Sequence, residues 1–557
     1  MRVRVGFFFI FSLFVINFIY GESVLGEIAF GEIAFNESVV SLRVAPVVEE
    51  SMEFPNLNTG FGVDINFDWA FWNITNKINL GVSAGGSYLN IPIDAGDPLV
   101  FFDGKAGPFV QYRPFDRWSF QGGINVGVYQ FSRGEVVEIK AAASVSLGVD
   151  FHILPYLSLF AGGGYIYRVF TENMPISAFN AALGLRVNLS ELMAGRTRIN
   201  VEKSEQYRIF PVSWSWYENN PVAAVNIINE EPNSITDVNM TIFLDSFMGQ
   251  PWTFATLPRL ASGSSATVPV TALFNEVMLS LTENVIANGE IHVQYKSLGV
   301  LKESVFPLQM PVFHRNTLSW EDDRRAAAFV SPRDSSARMF ARYVENAVDL
   351  FLKSGYSSPA LARLPQNVIY AAALFEALRL YGISYVVVPT MSFVNMKQDE
   401  AALDNVTFPY ETLYYRSGDC TYLSILYCSL LEALSIETAF ITIPGHLYMA
   451  FEVGDDEWLA GSADIIELET DGVRKRWLPV EITVPEEGFI RAWRIGAREW
   501  RNSGEDAALF RIRECWEVYP SVTITASIDY PPEMPPGGDI VFAMDRELVN
   551  FLRTFRY

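Results

Sequence analysis

The chain has 557 residues, half of them hydrophobic, and a formal net charge of -23. That length implies more than one domain with a core worth burying, and the charge, with no basic run beside it, excludes nucleic acid as a partner. Three cysteines give no disulfide framework, and neither a C-x-x-C pair nor a His/Cys cluster is present, so no metal and no cofactor is expected.

Arg2 and Arg4 precede an apolar run from Gly6 to Ile19. The run is too short for a comfortable membrane span and has the form of a secretory leader over residues 1–21, cleaved after Gly21. Residues 22–38 are a lead-in, in which Gly-Glu-Ile-Ala-Phe occurs twice in succession.

From 39 to 190 the hydrophobic period is two. Phe61, Val63, Ile65, Phe67 and Trp69 alternate with Gly62, Asp64, Asn66 and Asp68. Ile139, Ala141, Ala143, Val145, Leu147 and Val149 alternate with Lys140, Ser144, Ser146, Gly148 and Asp150. Eight such segments lie near 39–50, 60–71, 78–90, 100–112, 117–131, 137–153, 156–170 and 177–189, each about long enough to cross a bilayer as a tilted strand. Their polar face mixes small residues with Arg43, Asp64, Asp68, Lys105, Lys140, Asp150 and Arg186, which suits the tight interior of a small barrel. Aromatic residues gather near the short turns: Phe71 and Trp72, Phe115 and Trp118, Phe151 and Tyr156. The pattern resembles small eight-stranded outer-membrane β-barrels. The competing arrangement is a secreted sandwich or lipocalin-type barrel with its apolar face inward, which alternation alone does not separate from the first.

Over 205–314 short strands continue without the small-residue face, as in Val222 to Ile228, Val238 to Phe243, Ala266 to Val270 and Glu290 to Tyr295. Pro, Gly, Asn and Ser separate them, and an immunoglobulin-like sandwich serving as spacer or docking module is expected.

Beyond Trp320 the period becomes 3.6, in a region taken as 319–510 with an extension over 511–557. Helices are predicted from Ser335 to Lys353, from Asn367 to Tyr381 and from Gly488 to Trp500, with a short strand at Tyr385 to Val388. Pro531 to Gly538 reads as a loop, and Asp545 to Phe555 as a short closing helix. Within this region Asp419 stands at an N-cap position, Cys420 opens the helix, and Leu423, Leu426, Leu430, Leu431 and Leu434 follow at helical spacing. A thiol in the first turn of a helix meets unpaired N–H groups and the positive dipole end, which favour the thiolate. A thiolate nucleophile needs a base and a group to orient that base. His446 enters a strand-like stretch after Pro444-Gly445, and Glu481 lies on another, Trp477-Leu478-Pro479-Val480-Glu481. Taken singly, each residue is bland: a helical cysteine is usually core, as Cys428 and Cys515 are read, and His446 or Glu481 alone would be an ordinary strand residue.

Gly-Asp-Cys before a Leu-rich helix, Gly-His before a strand and Trp-x-Pro-Val-Glu together resemble the transglutaminase-like superfamily, relatives of papain-type thiol enzymes. The resemblance implies an α+β domain with Cys420 as nucleophile, His446 as general base and acid, and Glu481 as the orienting acid. It implies acyl transfer or peptide/amide hydrolysis through a cysteine thioester, with protein or cell-wall peptide as substrate. Thr421, Tyr422 and Glu481 depart from the common family pattern and support an alternative, an inactive relative acting as an envelope binding or scaffold module. The whole chain is then expected to be a multidomain protein: antiparallel barrel in outer-membrane lipid, central sandwich, and a C-terminal thiol domain in the periplasm.

Overall fold

The computed structural model describes residues 39–51, 59–75, 77–93, 97–133, 136–171, 174–194, 197–386, 403–454, 461–470, 473–524 and 532–554. The leader and lead-in expected over 1–38 lie outside these residues.

Alternating sequence over the first segment forms eight antiparallel strands: β1 (Val39–Ser51), β2 (Gly60–Thr75), β3 (Ile78–Ile91), β4 (Leu99–Phe115), β5 (Trp118–Arg133), β6 (Val136–Leu154), β7 (Leu157–Thr171) and β8 (Met174–Asn188). Each pairs with the next, and β8 returns to pair with β1, with Arg186 opposite Arg43 and Leu185 opposite Val44, so the barrel is closed. Closure leaves no unpaired edge.

The two faces decide between the competing barrels. Val126, Leu147 and Leu183 are 66%, 71% and 67% exposed, whereas Asp64, Asp68, Asp150 and Arg186 are buried. The apolar face therefore points outward, the reverse of a lipocalin-type barrel. Inside, charges are paired rather than solvated: Lys105 Nζ lies 2.7 Å from Asp64, and Arg186 reaches both Asp68 and Asp150 at 3.2 Å. Arg168 makes a two-pronged contact with Asp103 at 3.0 and 2.9 Å, a pair that the sequence pattern did not single out. Lys140, on the same face of β6 as Asp150 and opposite the buried Tyr129, pairs with Glu138 at 2.7 Å near the start of the strand.

Three two-residue connections, between β2 and β3, β4 and β5, and β6 and β7, lie at the end of the barrel at which β1 begins and β8 finishes, the short-turn end; the other end carries both longer connections, 52–59 and 92–98, and two further two-residue ones, after β5 and β7. A short helix, α1 (Leu189–Ala194), follows β8 at the short-turn end and packs against β1. Asp116, in the second turn, accepts from the Ser234 backbone N–H at 3.1 Å and from Arg259 at 3.0 Å. The next seven strands thus attach at the short-turn end.

Those strands are β9 (Ile199–Gln206), β10 (Ala223–Asn229), β11 (Ile235–Phe243), β12 (Trp252–Leu260), β13 (Ser265–Val270), β14 (Val285–Ser297) and β15 (Val300–Val312). They form two sheets, ordered β13-β10-β9 and β12-β11-β14-β15, over one core that includes Val225, Ile227, Met240, Ile242 and Val293. The first strand starts at Ile199, ahead of the 205 boundary. Glu202, Lys203, Ser204 and Glu205 are exposed along it, and a charged edge strand leaves little trace in hydropathy.

The C-terminal part packs helices on one antiparallel sheet. Short pairings frame it: β16 (Thr317–Ser319) with β18 (Leu403–Asn405), and β17 (Ser384–Tyr385) in parallel with β19 (Ser417–Gly418). The predicted Tyr385–Val388 strand is thus described only to Tyr385, and 387–388 lie outside the described residues. The helices are α2 (Ser335–Lys353), α3 (Gln366–Tyr381), α4 (Pro409–Tyr415), α5 (Cys420–Ala433), α6 (Phe489–Ser503), α7 (Ile512–Val518) and α8 (Gly537–Thr554). The sheet runs in the order β22-β23-β21-β20-β24, with β20 (Thr438–Ile443), β21 (His446–Glu452), β22 (Ile466–Thr470), β23 (Val473–Val480) and β24 (Ala508–Arg511). Helix α5 is buried on nearly every side, its Leu423, Leu426, Leu430 and Leu431 sharing a core with α2, α3 and the sheet.

The two described helices within 511–557 share that core and do not hang from it. Ile512 and Cys515 of α7 and Ile540, Met544, Leu548 and Phe551 of α8 are all buried in it. Helix α8 begins at Gly537, inside the stretch read as a loop. Its apolar spacing is helical from Ile540 onward, and Pro536 sits where a helix N-terminus tolerates proline. Among the described residues no helix is long and apolar enough to cross a membrane, which says nothing of strands.

Candidate functional site

Helix α5 starts where its N-cap dictates. Asp419 is extended, at φ -84° and ψ -170°, and its side chain accepts from the Tyr422 N–H at 3.0 Å. Just upstream Arg416 ends α4 in the left-handed region, at φ 50° and ψ 31°. That conformation is costly for a residue with a Cβ and turns the chain sharply into β19. The Arg416 guanidinium rests 4.3 Å from the centre of the Tyr381 ring, which holds the turn in place. Cys420 thus stands at the first turn of a buried helix, 9% exposed.

Two-residue closure by Pro444-Gly445, with Gly445 at φ 77°, joins β20 to β21 and puts His446 at the first position of β21. Its ring stacks on Tyr448 with centroids 5.7 Å apart, and its side chain remains 23% exposed. Glu481 does not lie on a strand as the sequence suggested, for β23 ends at Val480. Ending the strand there frees the carboxylate to turn toward β21. His446 Nε2 is 2.6 Å from Glu481 Oε2. Glu481 Oε1 accepts from the Thr483 N–H at 3.0 Å and from the Thr483 hydroxyl. With Nε2 engaged by Glu481, the imidazole also lies within hydrogen-bonding reach of the Cys420 thiol, which acts on its charge.

The three residues proposed from the sequence are therefore brought into one chain of contacts, Cys420 to His446 to Glu481. Burial opposes a charge on His446, but its hydrogen bonds to Cys420 and Glu481 and their negative charges outweigh that, raising its pKa to about 10. Burial likewise opposes charge on Glu481, and the His446 and Thr483 contacts overcome it, so its carboxyl is held below the usual range. Asp419 titrates the other way. Desolvation raises it to about 6, which the Tyr422 N–H only partly offsets.

The other cysteines are separate. Cys428 is fully buried and burial pushes its thiol well up, and burial raises Cys515 to about 12. His152 lies inside the barrel between Ser119 and Ser158, and His292 is bonded to Glu290 and Glu303.

Two residues at the site escaped the sequence reading. Tyr385, on β17 beside β19, is 39% exposed and lies within the electrostatic reach of Cys420, Asp419 and Glu481. Glu499, on α6, brings its carboxyl up to Glu481 and His446, the ligand-type atoms of all three lying within 4.8 Å of one another. The signal for Glu499 was present: it is the sole acid of α6, among Arg491, Arg494, Arg498 and Arg501. A ring nitrogen and two carboxyls could in principle hold a cation. At 2.6 Å, however, His446 and Glu481 are closed on each other by a hydrogen bond, and an ion held at about 2.0–2.2 Å from each would have to push them apart.

No protein-family model matches this sequence, and no curated protein matches it. Among solved structures, Neisserial surface protein A is 15% identical, with 27% of this chain and 96% of that one covered at a TM-score of 0.22. The attachment invasion locus protein Ail of Yersinia pestis is 16% identical, with 27% and 97% covered at 0.19. The outer membrane enzyme PagL is 13% identical, with 27% and 99% covered at 0.20. The N-terminal region is thus similar to small outer-membrane β-barrels.

Proposed function

We propose that this chain is an outer-membrane-anchored thiol acyltransferase or amidase whose catalytic domain faces the periplasm. The single observation that carries the chemistry is the imidazole of His446 held between the Cys420 thiol and the Glu481 carboxylate. In this reading the Cys420 sulfur attacks a peptide or side-chain amide carbonyl, and His446 gives its proton to the departing amine. A thioester to Cys420 remains. Water, losing a proton to His446, then completes hydrolysis, or an amine in its place completes transfer. Glu481 keeps the ring in its productive tautomer and stabilises the imidazolium. This role assignment matches the transglutaminase-like pattern. The exposed rings of Tyr385, Tyr414 and Tyr415 near the N-terminus of α5 suit a protein or cell-wall peptide as acyl donor.

Trapping the intermediate tests this. Incubating the full-length protein in detergent micelles with an activated acyl ester, then digesting it at acidic pH, should add the acyl mass to the Cys420 peptide. His446→Ala should reduce that adduct strongly. No adduct on Cys420 under conditions that acylate free cysteine would favour the alternative, an inactive envelope binding or scaffold module.

The membrane reading is supported by the outward apolar face of a closed barrel, a surface that water-soluble monomers rarely carry over such an area. The turns support this sidedness. Periplasmic connections of such barrels are short, every connection at the Asp116 end is two residues long while both longer ones, 52–59 and 92–98, lie at the other end, and the central sheets attach through Asp116. Protease added to intact cells is expected to spare residues 197–554, and to degrade them once the outer membrane is permeabilised. Cleavage in intact cells would place the thiol domain outside.

A further inference from the structure

Helix α6 packs unusually close to the segment that carries Glu481. A Cβ on Gly496 would come within 3.1 Å of the Pro479 carbonyl carbon and 3.2 Å of the Glu481 nitrogen, tighter than ordinary contact, so any larger residue would have to push the two segments apart by a few tenths of an ångström. The Glu481 N–H donates to the Ala492 carbonyl at 3.1 Å, and the Tyr448 hydroxyl donates to the Gly496 carbonyl at 3.1 Å. Trp493 fixes the far side through its indole N–H to the Asp464 carbonyl at 2.8 Å. One turn beyond Gly496 this docking delivers Glu499 to the back of Glu481. Glu499 Oε2 is buried and has no donor turned to it among the described residues. Two ionised carboxylates in such a place repel one another. A single proton between them turns the repulsion into a hydrogen bond.

Resting on the thiol-site reading above, we propose that Glu499 is a positioning residue. In its acid form it donates to Glu481 and pins that carboxylate against His446. Loss of that proton loosens the Cys420–His446 pair.

The groups facing Glu499 are Glu481 after β23, His446 and Tyr448 on β21, and Arg498 on its own helix. Burial and the charge of Glu481 raise Glu499, and His446 and Arg498 only partly oppose them, leaving it at about 7. The sign follows. Below pH 7 Glu499 keeps its proton and the pin is in place; above it the two carboxylates repel and Glu481 holds the ring less firmly. An ordinary thiol reacts faster as pH rises, so a fall across this range is a distinctive signature.

The experiment is the pH profile of iodoacetamide labelling at Cys420 in the full-length protein in detergent micelles, read by mass spectrometry. The wild type should lose about threefold in His446-dependent rate as pH passes through 7, the descending limb of a titration. Glu499→Gln keeps an N–H donor toward Glu481 and has no proton to lose, so its profile should run without that limb. Glu499→Ala removes the donor and should lower the rate below pH 7, where the wild type keeps its proton, but not above it, whereas a variant that only disturbed folding would lower the rate at every pH. A descending limb that persists unshifted in Glu499→Gln overturns the proposal while leaving the thiol reading intact. Labelling of Cys420 that ignores His446 altogether overturns the thiol reading instead.

Discussion

Replacing His446 with alanine is expected to slow iodoacetamide labelling of Cys420 by about 10- to 100-fold at pH 6. The nucleophile is the thiolate. A free thiol with a pKa of about 8.5 is roughly 0.3% ionised at pH 6, so an imidazolium that holds the thiolate opposite it can raise the reactive fraction by more than 100-fold. A stabilised thiolate is intrinsically less nucleophilic, which returns part of the gain and sets the lower bound. The charge on His446 is the variable. Its pKa is raised to about 10, so, beyond the roughly threefold step near pH 7 ascribed to Glu499, the imidazolium and most of the labelling advantage should persist well above pH 6.5 and fade as pH climbs toward 10. Stability follows the same sign: the contribution of His446 is complete below 6.5 and lost through about 10, while that of Glu481, held low, is lost as pH falls below 4.5. Cys428 and Cys515 serve as internal controls, being buried with raised thiols, and should label far more slowly than Cys420. Glu481→Gln should slow Cys420 less than His446→Ala does, since the acid acts through the ring. Equal labelling of Cys420 in wild type and His446→Ala would remove the basis for a nucleophile there.

The sequence made the barrel legible because its period is local. A face change every residue over eight segments is readable without knowing any partner, and the observed strands begin and end within a few residues of the pattern. It did not make the direction of the faces legible, since inward and outward apolar rows share one alternation. Only closure of β1 on β8 with Asp150 and Arg186 inside fixes that. In the C-terminal part Asp419 and the leucines of α5 announced a capped, buried helix through contacts a few residues apart. The meeting of Cys420, His446 and Glu481 depends on three elements far apart in the chain, and the motifs alone suggested it. Glu499 stood out in sequence as the sole acid of α6, but its neighbour is set by how α6 docks through Gly496, a tertiary fact with no periodic trace. The strand-like reading of Glu481 failed by one residue, and that residue matters, because a strand continuing through it would have fixed its side chain by the pleat.

The inverted barrel carries the second large effect, and it opposes the usual rule for exposed positions. Val145 stands at the middle of β6, between Ile124 of β5 and Tyr165 of β7, with half its surface open. On a water-soluble protein a charge placed there would change stability by no more than about 0.5 kcal/mol. If the row faces hydrocarbon, Val145→Arg should cost about 2–4 kcal/mol, since mid-strand lies near the bilayer midplane. The interior gives the complementary case. Arg168 is buried, bonded to Asp103 through two nitrogens, and lies 4.8 Å from the centre of the Phe101 ring. Arg168→Met keeps most of the volume but leaves the Asp103 carboxylate buried with, among the described residues, the Ser87 hydroxyl at 3.0 Å as its remaining donor. Breaking one side of such a pair costs about 3–5 kcal/mol, more than the pair itself contributes. Removing both charges together, Arg168→Met with Asp103→Leu, should recover much of the loss, because no orphaned charge remains. Urea unfolding of the full-length protein in detergent micelles, followed by the barrel's tryptophan fluorescence and by gel mobility with and without boiling, separates these cases. Val145→Arg at wild-type stability would mean that the apolar face does not meet lipid. Arg168→Met at wild-type stability would mean that water reaches Asp103 and the interior is open.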